Sequence, residues 1–179
     1  HLSQTINDFR DFFKPDKKKN QFIINDIFEK TFKLITSQFK TSNIIVIKNI
    51  EEVTLLGLEN ELIQVLINIL NNARDELIKK DNQDRLILID VSKKDGHVEI
   101  LIKDNAGGIP SDILEDVFKS HFTTKQESNG TGVGLYMSKM IIEEHMKGSL
   151  IVSNMKFFYE GTSHEGAQFQ ILLPLQGEL

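Results

Sequence analysis

Asn68 and Asn72 stand four residues apart in the run Asn60 to Glu76. At 100° per residue, Leu62, Val65, Leu66, Ile69 and Ala73 form one apolar stripe along this run, and Glu61, Asn68, Asn72 and Asp75 form a polar stripe on its flank. Asn71 points nearly opposite the core. Asparagine is a middling helix former that competes for the backbone, so two of them stacked one turn apart beside a buried stripe call for an explanation. A solvated flank is one. The other is a polar ledge whose amide oxygens ligate a Mg²⁺ ion carrying a phosphate. A second candidate is Asp104-Asn105-Ala106-Gly107-Gly108-Ile109-Pro110. It places a carboxylate at a strand end, before glycines that let backbone approach a flat ligand closely; an ordinary turn has the same composition. A third is Gly130-Thr131-Gly132-Val133-Gly134-Leu135, a glycine-rich stretch that opens a helix and offers N–H groups to an anion. It lacks the GxxxxGK[ST] pattern of a P-loop, and no strand precedes it as a Rossmann fingerprint requires. The polar stretch Lys119 to Asn129 before it suits a mobile lid.

These candidates need positioning elements, and the hydrophobic periods supply them. Leu2, Ile6, Phe9 and Phe13 form a helical seam that ends at Pro15-Asp16 and the lysine run 17–19. Ile27, Thr31, Leu34, Ile35 and Phe39 predict a helix over 24–39. The long polar-ledge helix spans 60–80, and a further helix runs over 132–147 with Gly148 as its cap. Strands are expected at 44–47, 53–57, 86–91, 98–103, 149–153 and 168–173. Asp95-Gly96 marks a hairpin between the third and fourth of these. Helices alternating with hairpins predict an α+β, two-layer sandwich.

Composition narrows the functions. The chain has 179 residues, 26 acidic against 21 basic, a net charge of −5 and no cysteine. The acidic balance argues against a nucleic-acid-binding module, and without cysteine there are no disulfides, thiolate metal sites or thiol catalysis. The five histidines, His1, His97, His121, His145 and His164, show no metal-binding spacing. No apolar run approaches the ~20 residues of a membrane span, and no signal peptide is visible. The start at His1, inside a helical pattern, reads as a piece cut from something longer.

Taken together, the polar helix, DNAGG, FKSHFTTK and GTGVGL resemble, in order and spacing, the N, G1, F and G2 boxes of sensor histidine kinases. These boxes define the ATP-binding domain of that family, within the gyrase, heat-shock chaperone, histidine kinase and mismatch-repair ATPase superfamily. The resemblance covers about residues 15–176, and the Asn72-Ala73-Arg74-Asp75 and Phe122-Thr123-Thr124-Lys125 variants look closest to the nitrogen-regulatory type. It implies a Bergerat-type ATP-binding fold over 15–179, with residues 1–14 as the end of a second dimerisation helix. It implies ATP and Mg²⁺ as cofactors. Asn72 would hold the metal, Asn68 would support it, Asp104 would accept a hydrogen bond from the adenine amino group, and Lys125 would reach the terminal phosphate. The remaining nucleotide contacts would come from Asp75, Gly108, Ile109, Thr124, Gly130, Thr131, Gly132, Val133, Gly134 and Leu135. Ala106 departs from the glycine usual at the third G1 position, and Asp75 stands where many relatives carry a basic or aromatic residue.

The implied partners are ATP and ADP, the dimerisation helices carrying the phosphoacceptor histidine, and a response-regulator receiver domain, with a homodimer as the full-length state. The implied location is cytoplasmic, with any inner-membrane anchor elsewhere in the parent. A stand-alone ATPase of the superfamily is the alternative. Such relatives place a water-activating glutamate where this chain has Asn68, and an amide cannot take a proton. A nucleotide-gated scaffold is a third reading, against which the intact Asn72, Asp104 and GTGVG argue. No histidine here sits in a phosphoacceptor context, so the chain is expected to bind ATP without phosphorylating itself.

Overall fold

In a computed structural model, which describes residues 18–81, 83–120 and 134–175, the chain forms one helical layer against a five-stranded main sheet. The first strand, β1 (Asn20–Ile23), runs directly into helix α1 (Ile24–Thr41). Strands β2 (Ile44–Ile50) and β3 (Thr54–Gly57) follow, then helix α2 (Glu59–Lys80) and the hairpin β4 (Arg85–Lys94) and β5 (His97–Asp104). Helix α3 (Gly134–Met140) passes into a π-helical turn (Ile141–His145), and the chain closes with the hairpin β6 (Ser149–Tyr159) and β7 (Thr162–Pro174). The main sheet has the order β2-β4-β5-β7-β6, with β2–β4 parallel and the other pairs antiparallel. β1 and β3 form a separate two-stranded sheet. The predicted two-layer α+β sandwich is the fold observed.

α2 is the axle of the helical layer. Leu62, Val65, Leu66 and Ile69 are fully buried and Ala73 nearly so, which is the predicted stripe, and Leu70 and Leu77 widen it. The facing side of the sheet supplies Ile87, Ile89, Ile100, Ile102, Phe169 and Ile171. Aliphatic residues alternate along these strands because each buries one face only. α1 buries Ile24, Ile27, Phe28, Thr31, Phe32, Ile35 and Phe39. Leu34, assigned to that stripe from its spacing, points to solvent at 64% exposure, because Phe28 and Phe32 take the inward positions. The Asp95-Gly96 turn is as predicted: both residues have positive φ (50° and 77°), which the tight hairpin requires.

Three boundaries differ from the sequence reading. β1 was not expected, and β2 pairs parallel to β4 rather than within a hairpin. The helix predicted to continue to 147 changes hydrogen bonding at Ile141, where Met146 N–H bonds Ile141 C=O at 3.0 Å, five residues back. Its left-handed terminal residue is Lys147 (φ 58°). Gly148 is required for another reason: a Cβ there would lie 2.1 Å from the Leu172 carbonyl oxygen. Finally, β6 and β7 extend well past 153 and before 168, turning at Glu160-Gly161. No helix of the described residues is long and apolar enough to cross a membrane. The expected helix over 1–14 lies outside the described residues.

Candidate nucleotide site

Asp104 ends β5 as the sequence requires, and its carboxylate is buried. Its Oδ1 accepts hydrogen bonds from the Ala106 N–H at 3.0 Å and the Ala167 N–H at 3.3 Å. Burial pushes this carboxyl up to about 6, against the pull of those two N–H groups, and the nearby Glu76 carboxylate adds to the rise. An acceptor held so rigidly in a dry place suits a single donor on a flat ligand.

The loop after it is built to be approached. Gly107 and Gly108 both have positive φ (90° and 88°), a conformation open to glycine at little cost. Gly107 N–H bonds the Glu165 carbonyl at 2.9 Å. Ile109 is bonded twice by the Asn154 side chain: its N–H donates to Oδ1 and its C=O accepts from Nδ2, both at 2.8 Å. Ala106, the departure from glycine, is buried and has no positive φ, so a side chain is tolerated there. Asn105 was not singled out by the sequence, yet its amide accepts from Leu86 N–H at 2.9 Å and donates to Asp84 C=O at 2.8 Å. It thereby ties the loop to the start of β4.

The ledge on α2 faces α3. The Asn68 amide donates to the Gly134 carbonyl at 3.3 Å and to Ser138 Oγ at 3.2 Å, while Ser138 Oγ–H donates to the same carbonyl at 2.9 Å. Ser138 is fully buried and sequence reading missed it. Its spacing four residues after Gly134 was the available signal. Asn72 lies one turn further along α2, half-buried on the same flank. Asp75 pairs with the Arg74 guanidinium at 3.1 Å, and Arg74 also bonds Gln38 of α1. Asn71, expected to point away from the core, is half-buried, its Oδ1 enclosed and without a hydrogen-bond partner among the described residues. Glu61, at the head of the polar stripe, is buried against His145, whose Nδ1 lies 3.1 Å from it.

Leu135 and Ile109 are half-buried at the two ends of this region. Phe118 meets Phe169 edge-on with ring centroids 6.2 Å apart, and the Lys139 ammonium lies 4.7 Å over the Phe118 ring. These contacts fix the chain just before the segment expected to act as a lid. Of that segment only Lys119 and Ser120 are described, the Lys119 ammonium pairing with Asp116 at 2.7 Å; residues 121–129, with Thr124 and Lys125, lie outside the described residues, as do Gly130, Thr131, Gly132 and Val133. Among the described residues no three acidic or histidine groups gather as a metal cage. The ledge offers amide oxygen, a hard donor that suits Mg²⁺ when phosphate oxygens and water complete its shell.

Comparison with known proteins places this geometry. Residues 57–177 match the family model described as histidine kinase-, DNA gyrase B-, and HSP90-like ATPase. Sporulation kinase C of Bacillus subtilis is 31% identical over 158 residues, which cover 87% of this chain and 34% of that protein. The chain thus spans about a third of the length of that curated relative. The catalytic domain of histidine kinase ThkA superposes with a TM-score of 0.71 at 22% identity, covering 89% of this chain and 97% of that one. Full-length ShkA in complex with AMPPNP gives a TM-score of 0.74 at 21% identity, covering 98% of this chain and 36% of that one. The matched span contains the α2 ledge, Asp104 and its glycine loop, and the closing hairpin: the chain belongs to the histidine kinase-, DNA gyrase B-, and HSP90-like ATPase family.

Proposed function

We propose that this chain is the ATP-binding catalytic domain of a sensor histidine kinase. It binds Mg·ATP and presents the γ-phosphoryl to a histidine on a dimerisation helix. The observation that carries this reading is the buried Asp104 carboxylate, fixed by two N–H groups beside the Gly107-Gly108 loop. It is an acceptor for the adenine amino group, and the loop gives the ring room to lie flat. Asn72 would supply an oxygen to Mg²⁺, which would neutralise the triphosphate. Asn68 orders the start of α3 through Gly134 and Ser138. Gly130, Thr131, Gly132, Val133, Gly134 and Leu135 would line the phosphates, with Thr124 and Lys125 closing over them. Asp75 and Ile109 complete the walls.

The amide at position 68 favours kinase over stand-alone ATPase, because no carboxylate on the ledge is placed there to activate water. Sporulation kinase C points the same way by its name. ThkA has been solved in complex with the response regulator TrrA, which supports a receiver domain as a partner here. A homodimer built on dimerisation helices, in the cytoplasm, completes the proposal.

Calorimetry tests the core of it. The protein should bind ATP in the presence of Mg²⁺, bind it more weakly with a chelator, and prefer ATP to GTP. Equal affinity for both nucleotides would remove the adenine role of Asp104. A transfer assay tests the kinase part. With γ-labelled ATP the chain alone should stay unlabelled, and label should appear on a helix carrying the acceptor histidine when both dimerisation helices are supplied. Asn72→Asp should lower that transfer at least tenfold, a loss equal to about 1.4 kcal/mol of transition-state stabilisation. Acid-labile label on the chain alone would mean that one of its own histidines is an acceptor.

A further inference from the structure

Asn154 lies in β6, 45 residues along the chain from the glycine loop it holds. Its register explains the reach. Asn154 pairs with Ala167 of β7, and the Ala167 N–H in turn donates to the Asp104 carboxylate. Asp104, Ala167 and Asn154 therefore form one row across three neighbouring strands. β5 and β7 stop pairing at Lys103 and Gln168, and the β6–β7 hairpin continues alone past that point. The Asn154 amide thus reaches a loop that has no strand of its own to pair with. It satisfies both polar groups of the Ile109 backbone, as an adjoining strand would. The contact is close as well as polar: a Cβ added to Gly108 would lie 2.8 Å from Asn154 Oδ1. Gly107 is held from the same hairpin by the Glu165 carbonyl.

We propose that Asn154 is a positioning residue for the adenine subsite. It sets the height of the Gly107-Gly108-Ile109 loop above the base while Asp104 reads the amino group. The proposal rests on the nucleotide-binding reading above and deepens it. With the amide removed, two bonds to the loop are lost, the loop drifts from the plane that Asp104 defines, and the contribution of the base falls. The phosphate contacts, made by other elements, stay.

The test is calorimetry with Mg·ATP and Mg·GTP on the parent, Asn154→Ala and Asn154→Asp, together with amide exchange at Ile109. Asn154→Ala should bind ATP about tenfold more weakly, as the loss of two modest hydrogen bonds predicts. Its GTP affinity should change less than about threefold, and the Ile109 amide should exchange faster. Asn154→Asp keeps an acceptor for the Ile109 N–H but turns an oxygen toward the Ile109 C=O, so it should show the same split. This second variant decides the matter if the first does not fold. An equal loss for ATP and GTP would make the residue merely structural and overturn the proposal. So would unchanged ATP affinity in a parent that binds ATP, and that result would leave the nucleotide reading standing. A parent that binds no ATP overturns both.

Discussion

Asp104→Asn is expected to make the folded protein more stable and a poorer nucleotide binder at the same time. The carboxylate is buried, with Glu76 adding repulsion, and its carboxyl titrates at about 6 instead of 3.8. At pH 7 holding it ionised costs on the order of 3 kcal/mol relative to the unfolded chain. An asparagine keeps an oxygen for the Ala106 and Ala167 N–H groups and carries no charge. Recovering roughly 2 kcal/mol of that cost should raise the melting temperature of the nucleotide-free protein by about 4 to 8 °C. In the proposed nucleotide site the same change loses a charged acceptor for the adenine amino group, worth about 1.5–3 kcal/mol, so ATP should bind roughly 10- to 100-fold more weakly. A variant that is destabilised and binds less well would instead mean general damage.

The pH dependence follows with its sign. The folded-state value lies above the unfolded one, so the native protein holds this proton more tightly. The stability associated with it is fully present below about pH 4 and is lost as pH rises through about 6. The gap in melting temperature between Asp104→Asn and the parent should therefore be small at pH 4 and reach its full size above pH 6. Binding runs the other way. In the proposed site the base needs the ionised acceptor, so the parent's advantage in ATP affinity over the variant should shrink as pH falls below about 6. Comparing the two proteins at each pH cancels the titration of the nucleotide's own phosphates.

How much of this site the sequence disclosed depends on how far each partner had to travel. Asn68, Asn72 and the buried stripe of α2 were legible because the 3.6-residue period of a helix fixes which residues share a face. Asp104 was legible because a strand ends where its alternation meets glycines. Asn105, Ser138 and Asn154 were not, since each acts on an element remote in the chain: β4, the Asn68 amide and Ile109. The β6–β7 extension was hidden by its composition. Phe157, Phe158 and Tyr159 are consecutive aromatics, yet none of them is buried: Phe157 and Tyr159 are half-buried and Phe158 is 78% exposed. The Glu160-Gly161 pair was the signal for a tight turn. Glu61 read only as a member of the polar stripe, because nothing in its own helix predicts that His145 arrives to cover it.

Gly166→Ala should damage the protein more than any other single methyl added to the site, because the space is already occupied. A Cβ at Gly166 would lie 1.7 Å from the Asp104 carbonyl oxygen and 2.7 Å from its carboxylate Oδ1. The nearer clash is with backbone, which no rotamer change relieves. β7 must move away from the end of β5, and the Ala167 N–H that holds the carboxylate moves with it. Overpacking of this kind costs on the order of 3 kcal/mol, which corresponds to a fall in melting temperature of about 6 to 12 °C. Gly107→Ala is the informative control. No atom of the described residues lies within 4 Å of a Cβ there, so its cost is the strain of a positive φ, about 1–2 kcal/mol. Thermal melts of both variants, with and without saturating Mg·ATP, separate the two effects. Gly166→Ala should melt well below Gly107→Ala and gain little from nucleotide, since the proposed base acceptor has been displaced. A Gly166→Ala protein that melts with the parent and is stabilised equally by ATP would show that β7 does not hold Asp104 in place.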